Sequence, residues 1–199
     1  MIAALLWAAL TALSLAALRQ RRIDMNDDII LVDIFDSEIG HTDKDDAHRR
    51  GLLHRAFSVF VIHDGRMLIQ KRSRDKYHSG GLWTNACCSH PREGESLDQA
   101  VPRRMREELG FSSRAEELFS FVYRHVFSDG LVEYEFDHVF LTDYDGEYVL
   151  NRDEAEDAAW IALDELAEDL RIHPERYTVW FQTAAPKVLG IIKANAHTD

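Results

Sequence analysis

Runs of apolar residues along the chain predict the strands of a sheet. Stretches rich in aliphatic, β-branched or aromatic side chains cover residues 29–35, 57–62, 118–127, 132–142, 148–150 and 158–162. The dipeptide Asp64-Gly65, which lies between two apolar runs, is the strongest short-range signal for a β-hairpin. Residues 67–69 should therefore return as the second strand of that hairpin.

Helix signals are clearest in the middle of the chain. Ser96 and Gln99 form a capping box and Gly110 is a helix stop, which together predict a helix over residues 97–109. Pro102 falls inside this helix. We expect it to kink the helix or to delay its regular part, because proline lacks the backbone donor and crowds the preceding turn.

The C-terminal part is also helical in pattern. One helix is predicted over residues 163–170, and a longer segment begins at Pro174 and is expected to be interrupted at Pro186. Strands and helices mix without strict alternation, and the chain carries no internal repeat or low-complexity tract.

The first eighteen residues carry no charge, and three arginines lie within the next four positions. This length is at the short end of the roughly 17 to 25 residues of a spanning helix, and a signal peptide would carry its positive charges before the apolar run. We favour a start at or near Met25, which leaves residues 1–24 as an apolar leader outside the enzyme and residues 25–199 as one domain. The alternative is a membrane anchor, with the catalytic domain in the cytoplasm.

Composition narrows the class of partner. A chain of 199 residues that is 46% hydrophobic fits one ordinary domain. The formal net charge of -12 argues against nucleic acid as a partner, since that affinity rests on lysine and arginine neutralising phosphates. An anionic small molecule remains compatible if the few bases cluster or a metal bridges. Cys87 and Cys88 are adjacent, so we expect free thiols in a reducing compartment, the cytoplasm.

The segment WTNACCSHP, residues 83–91, carries the most specific chemistry. It places the Cys88 thiol two positions from the His90 imidazole. Downstream, Glu133 and Glu135 are separated by one residue on a predicted strand, so their carboxylates share one face of it. Imidazole and carboxylate are ligands that divalent metals accept.

Two upstream histidines, His48 and His54, could complete such a site. Taken singly, each histidine is more commonly a surface or core residue, an isolated Glu-x-Glu is commonly a solvent face, and a free cysteine is commonly buried and inert. If the three histidines His48, His54 and His90 converged with Glu133 and Glu135, they would instead form a five- or six-coordinate nitrogen and oxygen site. Such a site suits zinc, manganese or magnesium.

Charged residues suggest a second feature. Arg104 and Glu108 are four apart on the predicted helix and face the same way. The plain interpretation is a surface salt bridge. The sharper one is that Glu108 holds a second cation while Arg104 contacts a phosphate, with Arg72 and Lys76 extending the positive rim.

Four segments in order resemble one known family. They are GLLHRAFSVF at 51–60, WTNACCSHP at 83–91, RRMREELG at 103–110 and VEYE at 132–135, and they resemble type I isopentenyl-diphosphate delta-isomerases of the Nudix superfamily. The resemblance runs from about residue 26 to residue 185. It implies an α/β/α sandwich around a mixed sheet, an α+β arrangement, and a monomer that acts on a small prenyl diphosphate.

The Nudix signature is matched with two departures. The matching residues are Glu95, Arg103, Glu107, Glu108 and Gly110. Ser89 stands where the signature has glycine, and Arg104 stands where it has glutamate. The loss of one acid should weaken the magnesium cluster that Nudix hydrolases use and favour an intact diphosphate.

The resemblance also implies a set of ligands. The catalytic divalent metal (Mn, Zn or Mg) would be held by His48, His54, His90, Glu133 and Glu135, with His41 a rival for the first position. Glu108 would hold a magnesium ion that arrives with the substrate diphosphate. Further substrate contacts would come from Arg72, Lys76 and Arg104.

The implied reaction interconverts isopentenyl and dimethylallyl diphosphate. Cys88 and Glu135 would exchange protons with opposite faces of the substrate, assisted by Tyr123, and we favour Glu135 with Tyr123 as donor and Cys88 as acceptor. Trp180, or alternatively Trp83, would stabilise the carbocation-like state through its ring face. The alternatives are a Nudix hydrolase of a nucleoside or prenyl diphosphate and a metal-dependent binding module without turnover.

Overall fold

The molecule is built around one long central strand, β3 (His54–His63), in which most residues are buried. The structure is a computed structural model and describes residues 28–196, so the leader considered above lies outside the described residues. Within the described residues the other strands of the sheet are β1 (Ile29–Val32), β2 (Glu38–Thr42), β4 (Arg66–Arg72), β5 (Trp83–Asn85), β6 (Cys87–Ser89), β7 (Glu116–Val126), β8 (Val132–Asp143) and β9 (Ala155–Ala162).

Strand β3 has different partners on its two sides. On one side β8 runs parallel to it, from the pair His54 and Glu135 to the pair Ile62 and Asp143. On the other side β1, β6 and β4 pair with it in turn, all antiparallel. The outer pairs are β2 with β1, β7 with β8, and β5 and β9 with β4. The sheet is therefore mixed, as predicted.

Helices cover both faces of this sheet. They are α1 (Lys44–Arg50), α2 (Leu97–Leu109), α3 (Leu163–Ile172) and α4 (Val179–Ala196), with a 3₁₀ turn at Pro174–Arg176. Side chains of α2 pack with Phe57 and Val59 of β3. Those of α3 and α4 pack with Phe60 on the opposite face. This α/β/α sandwich confirms the predicted fold class.

Several predicted elements are confirmed. The hairpin turn is at Asp64 and Gly65, with φ of 46° and 69°, the left-handed conformation that a two-residue turn of type I′ requires. Helix α2 begins and ends where the capping box and Gly110 indicated, and it continues through Pro102.

Other predictions are wrong. Residues 148–150 form no strand, because their loop donates to the end of α2 instead, with Val149 N–H bonded to the Leu109 carbonyl at 2.8 Å. Helix α4 runs through Pro186 without interruption, since Ala185 and Val188 beside it are buried in the core while the proline ring faces solvent.

Polar elements next to the site were not predicted. Helix α1 and the strands β2, β5 and β6 are short and carry many polar residues. The polar segment around Cys88 nevertheless forms strand β6, which pairs with β3. No helix within residues 28–196 is long and apolar enough to cross a membrane.

Candidate active site

Three histidines and a glutamate from four segments meet at the end of β3. His48 comes from α1, His54 from the start of β3, His90 from just after β6 and Glu135 from β8. One ligand atom from each of these side chains lies within 4.8 Å of the others, and all four are buried. The parallel pairing of His54 with Glu135 brings two of them together directly.

Buried polar atoms in this cluster lack partners within the described part of the chain. They are Nε2 of His48 and Nε2 of His54, together with Oε2 of Glu133, which lies beside the cluster at 3.4 Å from Nε2 of His48. Burying such atoms without a hydrogen bond is costly, whereas a cation ligated by them removes that cost. The donor set of imidazole nitrogen and carboxylate oxygen fits a divalent metal, so the residues present suit the implied ion.

Backbone and side-chain partners fix the orientation of these rings. His54 donates from Nδ1 to the Leu52 carbonyl at 2.8 Å, which leaves Nε2 as its acceptor atom. The Nδ1 atom of His48 lies 3.1 Å from the Tyr77 hydroxyl, which can accept a hydrogen bond from it and so leave Nε2 for a ligand. Burial lowers the pKa of His90 to about 3, although Glu135 partly opposes this, so the ring is neutral and able to ligate.

The two glutamates lie on the buried face of β8, whereas Tyr134 and Phe136 are only partly buried. Burial raises the pKa of Glu133, but the neighbouring imidazoles of His48 and His78 outweigh it and hold that pKa well below its usual value. Glu133 is therefore ionised, as a metal ligand must be.

Glu135 uses its two oxygens differently. Oε1 lies 2.9 Å from Nε2 of His90 and 3.5 Å from Nε2 of His54, inside the metal-type cluster. Oε2 accepts a hydrogen bond of 2.6 Å from the Tyr123 hydroxyl. Burial and Glu133 raise the pKa of Glu135, but the two imidazoles outweigh them and lower it.

Cys88 faces the same cavity from the other side of β3. The cavity is lined by Ala56 and Ser58 of β3, and both Cys88 and Glu135 reach it. Cys88 on β6 is the cross-strand partner of Ser58 on β3, whereas Glu135 belongs to β8 on the opposite flank of β3. Burial raises the pKa of Cys88 to about 12 despite the charge of Arg72, so the thiol keeps its proton at neutral pH.

A cationic cleft opens directly above this cavity. The two share Lys44, Arg72 and Cys88 among their lining residues, so they are continuous. The bases that line the cleft are Lys44, Arg72, Lys76, Arg92, Arg103 and Arg104. In a chain of net charge -12 this is a local concentration of positive charge, of the kind that binds a phosphate group.

Trp180 lines the inner cavity and is almost fully buried. The Arg72 guanidinium lies 5.1 Å from its ring centre, within the range of a cation–π contact. Trp83, the alternative, lies on β5 and lines a separate surface depression with Tyr177.

Glu108 is not part of the His and Glu cluster. Its Oε1 accepts from Arg104 at 2.7 Å and its Oε2 accepts from Gln70 at 3.0 Å. Burial raises its pKa, and Arg104 opposes that shift. The predicted Arg104–Glu108 pair is present, but the carboxylate lies beneath the cleft behind the arginine.

His41, the rival for the first ligand position, is elsewhere. Its ring nitrogens lie 3.1 Å from Asp28 and 3.1 Å from Glu93, in an exposed cluster. His48 is the histidine that the fold brings to His54.

Three residues near the site were not identified from the sequence. Lys44 lies four positions before His48, so helical spacing was a usable signal that both residues point the same way. Tyr77 and His78 belong to the loop between β4 and β5, where no periodicity marks a side chain. His78 donates to Oε1 of Glu133 at 2.7 Å.

Comparison with known proteins agrees with this fold. Residues 52–181 match the family model described as the NUDIX domain. A solved structure from Deinococcus radiodurans superposes with a TM-score of 0.67 at 19% identity, covering 80% of this chain and 98% of that one. The fold and the site thus define a Nudix-domain protein.

Curated relatives show which family of Nudix-domain proteins the chain belongs to. One from Aromatoleum aromaticum, named isopentenyl-diphosphate Delta-isomerase 2, is 48% identical over 86% of this chain and 91% of its own. A protein of the same name from Photorhabdus laumondii is 46% identical over 79% and 90%. The chain belongs to the isopentenyl-diphosphate Delta-isomerase family.

Proposed function

We propose that the protein is an isopentenyl-diphosphate delta-isomerase, which interconverts isopentenyl and dimethylallyl diphosphate for isoprenoid biosynthesis. One observation supports this most strongly: Cys88 and Glu135 line one cavity from strands on opposite flanks of β3. The family relationship favours isomerisation over the Nudix hydrolase alternative.

Moving a double bond needs one donor and one acceptor of protons. A proton adds to the terminal carbon, a tertiary carbocation-like state forms, and another proton leaves the carbon on its other side. Groups on opposite sides of the cavity can do both without turning the substrate over. Trp180 at the cavity wall would stabilise the cation with its ring face, worth about 2 kcal/mol or more when desolvated.

In their resting charge states, Cys88 and Glu135 hold one transferable proton between them. Burial keeps Cys88 a thiol, while His54 and His90 keep Glu135 ionised. This distribution favours Cys88 as donor and Glu135 as acceptor, the reverse of the order favoured from the sequence. Because the reaction is an interconversion, the roles exchange in the return direction. Tyr123 would hold Oε2 of Glu135 in place by its hydrogen bond.

The divalent metal, Mn, Zn or Mg, would be held by His48, His54, His90, Glu133 and Glu135. When bound, it supplies positive charge that neutralises the two buried glutamates. The unpartnered Nε2 and Oε2 atoms support this assignment.

The diphosphate would occupy the cationic cleft, with Arg72, Lys76 and Arg104 as contacts and Lys44 as an addition from the structure. Glu108 would hold the magnesium ion that accompanies the diphosphate after Arg104 swings toward the phosphate.

The free thiols of Cys87 and Cys88 support a reducing compartment, the cytoplasm. A monomer and a single domain over residues 25–199 complete the proposal, with membrane contact only if the leader serves as an anchor.

Incubation with isopentenyl diphosphate in deuterated water tests the function. The expected result is dimethylallyl diphosphate that carries deuterium, followed by NMR, with no release of phosphate. Phosphate or diphosphate release without isomerisation would instead identify a hydrolase, and tight binding without either product would identify a binding module.

A further inference from the structure

One loop carries neighbouring residues that touch the two halves of the site. This loop, residues 73–82 between β4 and β5, is called the 73–82 loop below. Lys76 lines the cationic cleft, and the next two residues, Tyr77 and His78, contact the metal-type cluster.

His78 fixes one oxygen of a metal-ligand carboxylate. Its Nε2–H donates to Oε1 of Glu133 at 2.7 Å, and both side chains are buried. Oε2 of Glu133 remains without a hydrogen bond and lies 3.4 Å from Nε2 of His48. The carboxylate is thereby turned so that a single oxygen points at the cluster.

The His78 ring is itself held by aromatic neighbours. It stacks on Phe127 at 4.6 Å between ring centres and meets the edge of Trp180 at 6.0 Å. Such contacts restrict the ring to one orientation, so the direction of its N–H is set before any ligand binds.

Tyr77 does the same for an imidazole ligand. Its hydroxyl lies 3.1 Å from Nδ1 of His48, a ring whose Nε2 has no partner in the described chain. A donor or acceptor at one ring nitrogen selects the tautomer and so decides whether the other can ligate. The Nδ1 atom of His54 is held by a backbone carbonyl, whereas that of His48 is held by a side chain of the loop.

The backbone of the loop is tightly constrained. Ser79 has φ of 53°, in the left-handed region that side chains other than glycine rarely adopt. A Cβ added at Gly80 would lie 2.8 Å from the Arg74 carbonyl oxygen, so only glycine fits this approach. The Gly81 N–H closes the loop on the Arg72 carbonyl at 3.0 Å.

We propose that Tyr77 and His78 are positioning residues that pre-set the metal site, Tyr77 through His48 and His78 through Glu133. The inference rests on the proposed metal site. Partners that orient metal ligands typically contribute about 10- to 100-fold in metal affinity.

The test is Mn²⁺ affinity without substrate, measured by EPR of the free ion. The variants are Tyr77→Phe, which removes one hydroxyl, and His78→Phe, which keeps an aromatic ring but loses the N–H. His78→Gln keeps an N–H donor and should restore part of the affinity. Matched controls are Tyr144→Phe and His63→Gln, whose polar groups bond elsewhere on the surface. His54→Ala removes a direct ligand.

We expect Tyr77→Phe and His78→Phe each to weaken Mn²⁺ binding by about 10- to 100-fold, with the melting temperature of the metal-free protein unchanged. Wild-type affinity in both variants, while His54→Ala loses the ion, would overturn this inference and leave the metal site standing. A fall in metal-free stability that matches the loss of affinity would also overturn it, since the role would then be structural. Equal binding by His54→Ala and wild type would overturn the metal site and this inference together.

Discussion

At the scale of single residues, the site depends on which atom of each side chain is left free. Two of the three clustered imidazoles have Nδ1 engaged, and Oε1 of Glu133 is held by His78. Glu135 accepts from Tyr123 through Oε2, while its Oε1 lies 2.9 Å from Nε2 of His90. Residue types and spacing could identify these ligands as candidates. They could not choose between His41 and His48, because that choice depends on the course of the chain between β2 and α1.

The Cys88 thiol should be unreactive near neutral pH. Because burial raises its pKa to about 12, little nucleophilic thiolate is present at pH 7. Alkylation by iodoacetamide, followed by mass spectrometry, should be slow at pH 7 and accelerate as the pH rises above 9. A Cys87→Ser background separates the two thiols. Rapid labelling at pH 7 with an apparent pKa below 8 would contradict this charge state.

At the scale of elements, local signals predicted those that carry their own caps or turns. The capping box and Gly110 marked both ends of α2, and Asp64-Gly65 marked the hairpin. Helix α1 and strand β6 were missed because their polar residues face the site, so their apolar pattern is weak. Their positions are set by pairing and packing with β3 and β8, which a local pattern does not contain.

Helix α2 should be destabilised when Arg104 is replaced by methionine. Its partner Glu108 is buried, and removal of one member of a buried ion pair typically costs about 3–5 kcal/mol. The free energy of unfolding in urea at pH 8 measures this loss. The loss of stability caused by the substitution should be smaller at lower pH. Without Arg104 the pKa of Glu108 rises further, and protonation then removes the unpaired charge.

The matched control is Arg171→Met on α3, whose ion pair with Glu168 is largely exposed. Its cost should be about 0–1 kcal/mol. Equal losses in the two variants would show that the Arg104 pair is an ordinary surface contact.

At the scale of the whole molecule, the candidate metal site ties separate parts of the chain together. Its proposed ligands come from α1, β3, the segment after β6, and β8, so a bound ion would cross-link elements that are far apart in sequence. The cleft above the site is positively charged although the protein as a whole is acidic, because several lysines and arginines line this one opening.

Metal binding should therefore raise the stability of the entire domain. With free Mn²⁺ at 100 times its dissociation constant, the free energy of unfolding should increase by about 2.7 kcal/mol, and EDTA should reverse the gain. Calorimetry of wild type and His54→Ala measures this. An equal Mn²⁺ effect on both proteins would place the ion outside the proposed site.

The proposal that Cys88 and Glu135 carry the protons of an isomerisation can be tested by their replacement. Conversion of isopentenyl diphosphate in deuterated water is followed by NMR for wild type, Cys88→Ala and Glu135→Gln. We expect deuterated dimethylallyl diphosphate from wild type and a loss of turnover of about 10²–10⁴-fold in each variant, the range for a lost proton carrier. Near-normal turnover by either variant would contradict it.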